Sequence, residues 1–367
     1  MNHETNLGWA RWKSPLRALR AFLQAPAARR RPEAPQPTAQ ERSERALGRI
    51  SLAIILGLLA LSGRNAAASE WPDKPVKIVI PFAAGGATDL LGRALANELG
   101  KIWKQSVVVD NRPGAGGALG AEVVAKSPSD GYTLLLASGS MFTVNPHIYS
   151  KLPYSTRSFE LITKVASGPM VVTVNSDLPA RNMQELIAYA KANPAKVNFA
   201  SAGNGSQVHM AGESFADATG IDITHIAYKG EGPAYADLLA GVVQMAVGNI
   251  NAISPLLKTG KIRALAVTGK ERVALLPEVP TVAEAGLSNY DFTGWFALVA
   301  PASTPTALTD RIDASVRQAV AQPGMKRYLA EQGMTATLSP KGKLGDEINN
   351  ETERWKVLVS KRKISAN

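Results

Sequence analysis

Three β-branched runs in this chain each end in small residues and are followed by a helical pattern. The runs lie at residues 76–80, 106–109 and 197–200, and the glycine-rich turns after them at 82–89, 113–117 and 201–206. β-Branched residues favour strands, and glycine permits a tight turn into a helix. These strand–turn–helix units predict an α/β fold. Because the N–H groups that open a helix attract negative charge, each turn is also a candidate anion-binding position.

The first glycine-rich turn has two interpretations. In one, backbone N–H groups around Gly85 and Gly86 and the hydroxyl of Thr88 hold a carboxylate, while Phe82 forms a wall of the cleft. In the other, the segment is a tight turn in which Thr88 or Asp89 only caps the helix. Asp89 complicates the first interpretation, because a fixed negative charge repels an anion. Its carboxylate either points away as a cap or pairs with the ammonium group of an amino-acid-like ligand.

The other two turns lack the glycine spacing of a dinucleotide-binding loop, because Leu119 and Val208 stand where the third glycine would be. We interpret residues 113–117 as a structural turn that lets a helix pack closely on its strand. The turn at 201–206 combines permissive backbone angles, a side-chain amide and a hydroxyl at one helix start, which favours a ligand-binding role. The residues that would supply this role are Gly203, Asn204, Gly205 and Ser206.

Alternating strand and helix patterns after Trp71 predict two lobes. The first lobe comprises residues 70–170 plus 293–367, and the second comprises residues 171–292. We expect each lobe to be a mostly parallel sheet flanked by helices, with a ligand cleft between the lobes and a hinge at the crossing segments. The predicted crossing strands lie at 161–165, 170–174 and 293–299.

The positive charge of the chain is concentrated at its beginning. The 367 residues carry a formal net charge of +11, and residues 1–69 contain eleven Lys or Arg against four Asp or Glu. The rest of the chain has no basic stripe. Because nucleic-acid binding needs clustered cations that displace counterions, we expect no nucleic-acid partner.

Residues 1–69 resemble a leader for export. The apolar run at 50–62 has the length of a signal-peptide core, Arg49 precedes it, and the alanines at 66–68 form a small-residue cleavage site. The run is shorter than the ~20 residues that span a bilayer. The chain has no cysteine, which excludes a lipoprotein anchor at the cleavage site. We therefore expect a cleaved signal peptide and a soluble periplasmic protein.

The sequence offers little for catalysis. It contains no nucleophile elbow, no phosphate-binding loop and no zinc-protease motif. His147, His209 and His225 lack metal-ligand spacing, and we expect neither a metal nor a cofactor. Tyr228 and Lys229 could line a cleft. A solute-binding protein is therefore favoured, with a periplasmic α/β hydrolytic enzyme as the alternative.

Six segments carry a family resemblance. They are WPDKP at 71–75, IPFAAGGATD at 80–89, NRPGAGG at 111–117, GNGS at 203–206, YKG at 228–230 and LPEVPTVAEAG at 276–286. In this order they resemble the Bug/TctC family of extracytoplasmic solute receptors, which serve tripartite tricarboxylate transporters. The resemblance extends from Trp71 to the C-terminal helices.

The resemblance implies a two-lobed periplasmic binding protein, type II-like, that closes on a small carboxylated molecule. A di- or tricarboxylate, an amino acid or an aromatic acid would lie between the turns that begin at Phe82 and Gly203, with Ser138 and Gly139 facing the same cleft. Gly248, where relatives often carry a larger side chain, would leave more room. The implied partners are the membrane subunits of a tripartite transporter or a sensor protein, and we expect a monomer.

Overall fold

The computed structural model describes residues 38–40, 43 and 71–366. The chain divides into two units, Met1–Ala68 and Ser69–Asn367. The apolar run and the cleavage site predicted within residues 1–69 lie outside the described residues. Everything below concerns the second unit.

The described part of this unit contains ten strands and eleven α-helices. The strands are β1 Val76–Ile80, β2 Val107–Asn111, β3 Thr133–Ser138, β4 Phe159–Asn175, β5 Asn198–Ser201, β6 Thr224–Ala227, β7 Met245–Asn249, β8 Ile262–Val267, β9 Thr293–Pro301 and β10 Thr335–Ala336. The helices are α1 Ala87–Trp103, α2 Ala118–Ala125, α3 Ser140–Thr143, α4 Asn145–Ile148, α5 Met183–Ala192, α6 Gln207–Thr219, α7 Glu231–Leu239, α8 Ile250–Leu257, α9 Thr306–Ala321, α10 Pro323–Glu331 and α11 Leu344–Arg362. Two short 3₁₀ segments, Ala115–Gly117 and Thr156–Ser158, precede α2 and β4.

The strands form two sheets that share β4. The first sheet contains β1, β2, β3, β9, β10 and the first part of β4, and the second contains β5 to β8 and the last part of β4. The α/β class predicted from the sequence is confirmed. The sheets are mixed rather than mostly parallel, because β4 and β9 run antiparallel to each other and to the strands beside them.

One long strand replaces two that were predicted separately. Strand β4 is continuous through both predicted runs, including Gly168 and Pro169. Pro169 forms the last pair with β9, opposite Thr293, and Met170 forms the first pair with β7, opposite Asn249. Proline, which has no N–H to donate, therefore lies where the strand changes partners and a ladder bond is dispensable.

The helical spacing predicted after the first turn is realised in α1. Leu91, Leu95 and Leu99 are fully buried and pack into one core cluster with Ile78 of β1 and Leu134 of β3. Leucines at this spacing place an apolar stripe on one face of the helix. The stripe fixes α1 on the first sheet, and with it the turn that opens the helix.

The two-lobe division remains a prediction, and the strand pairing supports it. The first sheet draws on residues within 70–170 and 293–367, and the second sheet is built from residues 170–267. Pro169 of β4 pairs with Thr293 of β9, beside the segments at 170–174 and 293–299 that the sequence predicts to cross between the lobes.

Replacing Leu95 with alanine tests the packing of α1. We expect Leu95→Ala to lower the free energy of unfolding by about 2–5 kcal/mol, because it removes fully buried methyl groups and leaves a cavity. Val108 on β2 is 50% exposed. We expect Val108→Ala to lower the free energy of unfolding by less than about 1 kcal/mol. Urea unfolding of both variants measures the difference, and equal losses would contradict the described packing.

Candidate functional site

The turn from β1 into α1 presents free backbone N–H groups. Helix α1 begins after Gly86, which has no side chain to cap the helix. Among the described residues, no acceptor bonds the N–H of Gly86 or Thr88, while the N–H of Ala87 is bonded. The first N–H groups of a helix have no partner within the helix and attract negative charge.

The turn from β5 into α6 has the same character. Ser206 is the N-cap of α6, and its hydroxyl accepts a hydrogen bond from the N–H of His209 at 3.3 Å. The N–H groups of Gln207 and Val208 have no acceptor among the described residues. The turn before them needs the positive φ angles of Gly203 and Gly205, at 117° and 76°.

These two helix starts line one cavity with about 280 Å³ of empty space. The lining residues are Phe82, Gly86, Thr88, Ser138, Ala202, Ser206, Gln207, Val208, Glu231 and Asn249. No lysine or arginine is among them, so the available donors are backbone N–H groups, three hydroxyls and two side-chain amides.

Glu231 is a cavity residue that sequence analysis missed. It opens α7 and is 5% exposed, and its Oε2 accepts a hydrogen bond from the N–H of Ala87 at 2.7 Å. Its Oε1 accepts from the backbone N–H of Asn249 at 3.2 Å, from the Asn249 side-chain amide at 2.9 Å and from the hydroxyl of Tyr235 at 2.6 Å. A carboxylate carried by α7 of the second half of the chain thus caps α1 across the cavity.

Gly248 does not leave more room for a ligand, contrary to the expectation from the sequence. A Cβ at this position would clash with the hydroxyl of Tyr235 and would lie 2.7 Å from Ile253 Cδ1. Burial, followed by the neighbouring Glu231 carboxylate, raises the pKa of Tyr235 well above its usual value. The hydroxyl therefore keeps its proton and fills the space beside Gly248 while bonding Glu231.

Asp89 lies behind the first turn. Its carboxylate accepts hydrogen bonds from the N–H of Gly85 at 3.1 Å and the amide of Asn111 at 3.0 Å, and it forms an ion pair with Arg93 at 2.8 Å. Burial raises the pKa of this carboxyl, but the bonds from Arg93, Gly85 and Asn111 outweigh it, and the pKa is lowered overall. Asp89 does not line the cavity. This geometry favours the first alternative, a carboxylate that points away and holds the turn.

Five of the predicted site residues line the cavity: Phe82, Gly86, Thr88, Ser138 and Ser206. The structure places Gly85 at the exposed outer side of the turn. Gly139 instead packs against the indole of Trp295, where a Cβ would clash, and lines a neighbouring space.

The rest of the second turn faces elsewhere. Gly203, Asn204 and Tyr228 line a separate surface pocket beside Gly116. The Tyr228 hydroxyl donates to Asp237 at 2.6 Å. Gly205, also outside the cavity lining, is buried against Asn145, whose Oδ1 a Cβ would meet. The cavity residues that sequence analysis missed are Ala202, Gln207, Val208, Glu231 and Asn249. For Gln207 and Val208, the only signal in the sequence was their position in the first turn of the predicted helix after Ser206.

A serine–histidine pair near the second turn is not arranged as a nucleophile. Ser201 Oγ lies 2.6 Å from His225 Nε2 but is 1% exposed, and it also accepts from the N–H of Gly203. Burial, with the stacked His209 as the next cause, lowers the pKa of His225 to about 3. A histidine with this pKa is a weak general base near neutral pH. Ser201 is also absent from the cavity lining.

No group of three or more histidine, aspartate or glutamate side chains suited to a metal ion occurs in the described part of the chain. Within the same part, none of the helices has the length and apolar character that crossing a bilayer requires.

Two sheets that share strand β4, with a cavity between two helix starts, define an α/β periplasmic binding protein. The chain belongs to the tripartite tricarboxylate transporter family receptors (TctC), whose family model matches residues 91–364. It is 36% identical over 312 residues to Protein BugT of Bordetella pertussis, which covers 84% of this chain and 96% of that protein. The matched family is a receptor family, so the chain is a solute-binding protein and not an enzyme.

Solved structures agree with this assignment. A structure from R. palustris with adipate is 34% identical and has a TM-score of 0.77, covering 81% of this chain and 99% of the other. MatC from Rhodopseudomonas palustris with bound malate is 28% identical and has a TM-score of 0.73, covering 79% of this chain and 100% of the other.

The role of Asp89 predicts a pH-dependent loss of stability. We expect Asp89→Asn to lower the free energy of unfolding near pH 7 by about 1–3 kcal/mol, because bonds to a charged group are lost. The pKa of Asp89 is lower in the folded protein than in the unfolded chain, where it is about 3.9, so Asp89 stabilises the folded protein at pH values above about 3.9. This contribution to stability is lost as the pH falls through the pKa that Asp89 has in the folded protein.

Thermal unfolding between about pH 7 and pH 3 measures this effect. The difference in unfolding temperature between the wild type and Asp89→Asn should become smaller at the acid end of this range. The matched control is Asp222→Asn at an exposed position. Its unfolding temperature should stay close to that of the wild type over the whole pH range. If the difference in unfolding temperature between the wild type and Asp89→Asn stays constant over the whole pH range, the role assigned to Asp89 is contradicted.

Proposed function

We propose that this chain is a periplasmic receptor that captures a small carboxylated molecule in the cavity between two lobes. The observation that carries the proposal concerns four N–H groups that have no acceptor among the described residues. They belong to Gly86 and Thr88 at one helix start and to Gln207 and Val208 at the other, and these residues line one cavity whose described lining has no cationic side chain. Converging main-chain donors suit a carboxylate.

The remaining lining residues would orient the ligand. The hydroxyls of Thr88 and Ser138 add donors, and Phe82 and Val208 supply apolar walls. The α1 turn and the α6 turn lie in different predicted lobes. A ligand that bonds both would therefore stabilise the closed arrangement and couple binding to a hinge motion near Pro169.

The ligand class draws support from similar proteins. Adipate and malate appear in the structures described above, and both are small carboxylates. For this chain we propose uptake by the membrane subunits of a tripartite transporter, or presentation to a sensor protein. The predicted leader would bring it to the periplasm, and the absence of cysteine supports a soluble rather than a lipid-anchored form.

Calorimetry and thermal unfolding with malate, adipate, amino acids and aromatic acids test the proposal. A ligand that binds only the native state raises the unfolding temperature. We expect at least one carboxylate to bind and be recovered unchanged. Failure of every acid to bind would contradict the proposal, and formation of a product would favour a hydrolytic enzyme.

The contribution of a single N–H group can be isolated at Gln207. It is the first residue of α6, where proline is tolerated, and the extended backbone of Ser206 suits a residue before proline. Gln207→Pro removes the N–H, whereas Gln207→Ala keeps it, and both lose the side-chain bond to the N–H of Trp295.

We expect Gln207→Pro to bind the tightest acid of the panel about tenfold to a hundredfold more weakly than Gln207→Ala, because a hydrogen bond to a charged group is lost. Calorimetry measures both affinities, and circular dichroism checks that α6 persists. Equal affinity of the two variants would exclude this N–H from the site.

A further inference from the structure

We propose that Glu231 makes this receptor select molecules that carry one carboxylate and one ammonium group, and reject dicarboxylates of the same length. This inference rests on the proposed function and narrows its ligand class. It starts from one observation: Glu231 is the only acidic or basic side chain among the ten residues that line the cavity.

The carboxylate of Glu231 lies where an anion would otherwise bind. The N–H of Ala87 is among the first of α1, and Glu231 Oε2 accepts from it at 2.7 Å. Part of the anion-binding position at the start of α1 is therefore taken by the protein itself. A dicarboxylate that placed one group at each helix start would bring one of them beside a fixed carboxylate.

None of the lysines or arginines that the structure describes forms an ion pair with this carboxylate. The four donors to Glu231 are the N–H of Ala87, the two amide groups of Asn249 and the hydroxyl of Tyr235, all of them uncharged. Asp89 differs in this respect, because Arg93 compensates its charge. The cavity therefore carries one uncompensated negative charge.

One oxygen of Glu231 has capacity for a ligand. Oε1 accepts three hydrogen bonds and Oε2 accepts one. A carboxylate oxygen offers about two lone pairs, so Oε2 can accept a further donor. This oxygen faces Gly86, where a Cβ would lie 3.1 Å away, and Gly86 lines the cavity. An ammonium group bonded there would pair with the charge, while the ligand's carboxylate bonds the N–H groups of Gln207 and Val208.

Neighbouring residues hold Glu231 in this orientation. The hydroxyl of Tyr235 reaches Oε1 through the space that Gly248 leaves empty, and both amide groups of Asn249 bond the same oxygen. Tyr235 and Asn249 are thus positioning residues for the carboxylate. A side chain fixed by three donors cannot readily withdraw to admit a second anion.

Two sets of length-matched ligands test the inference on the wild-type protein. The sets are succinate, butanoate and 4-aminobutanoate, and adipate, hexanoate and 6-aminohexanoate. In the set whose length fits the cavity, we expect calorimetry to show the amino acid binding at least about tenfold more tightly than the dicarboxylate, because like charges repel and opposite charges attract. The monocarboxylate should lie between them.

The variant Glu231→Gln keeps the length of the side chain and removes its charge. We expect it to lose most of the preference for the amino acid, through weaker binding of the amino acid and tighter binding of the dicarboxylate. The control Glu271→Gln removes a charge from an exposed residue outside the cavity and should keep the wild-type ratio. If Glu231→Gln does not fold, the ratio of the amino-acid affinity to the dicarboxylate affinity in the wild-type protein tests the inference alone.

Three results would overturn parts of this account, and they are distinct. A dicarboxylate that binds the wild type as tightly as its amino-acid counterpart contradicts the role of Glu231 and leaves the proposed function standing. A uniform loss of affinity for all ligands in Glu231→Gln assigns this residue a structural role only. Absence of binding by all six compounds, in the wild type and in Glu231→Gln, contradicts this inference, whereas the proposed function is contradicted only if malate and the other acids of the wider panel also fail to bind.

Discussion

Strand β9 connects the parts of the cavity through Trp295. The N–H of Trp295 donates to the Gln207 side chain at 3.2 Å, and its carbonyl accepts from the N–H of Gly139 at 3.0 Å. One residue of the crossing strand therefore bonds both the start of α6 and the residue after β3. Because β9 pairs with β3 and β4, these contacts relate the second sheet to the first, and the placement of the cavity donors depends on them.

The sequence predicted what depends on local pattern. The β-branched runs, the helical patterns that follow them and the glycine-rich turns identified the α/β class and both helix starts. It did not predict α8, where Pro255 lies inside the helix, or the short helices α3 and α4. Proline disfavours a helix interior and four-residue helices have no periodicity to read, so these elements depend on tertiary packing.

The site was only partly predictable for the same reason. Gly203, Asn204 and Gly205 have the composition of a ligand-binding loop, but the structure uses the glycines for backbone angles and close packing and leaves the donors to Gln207 and Val208. Glu231 could not be found from spacing, since its partner Ala87 is 144 residues away in the chain. A contact of this kind exists only once both halves have folded.

Asp89 and Glu231 show why two buried carboxylates beside one helix start have different consequences. Arg93 pairs with Asp89, so the charge is neutralised within the turn and contributes to its shape. Glu231 is held only by uncharged donors among the described residues, and these donors bond its oxygens but leave its charge to act on a ligand that enters the cavity. Hydrogen bonding stabilises a carboxylate without cancelling its field. A receptor can therefore bind one carboxylate of a ligand with main-chain donors. A single side chain then determines whether it prefers an ammonium group or a second carboxylate at the other end of that ligand. Here that preference involves three positions together, because Glu231 is oriented by Tyr235, and Tyr235 fits only beside Gly248.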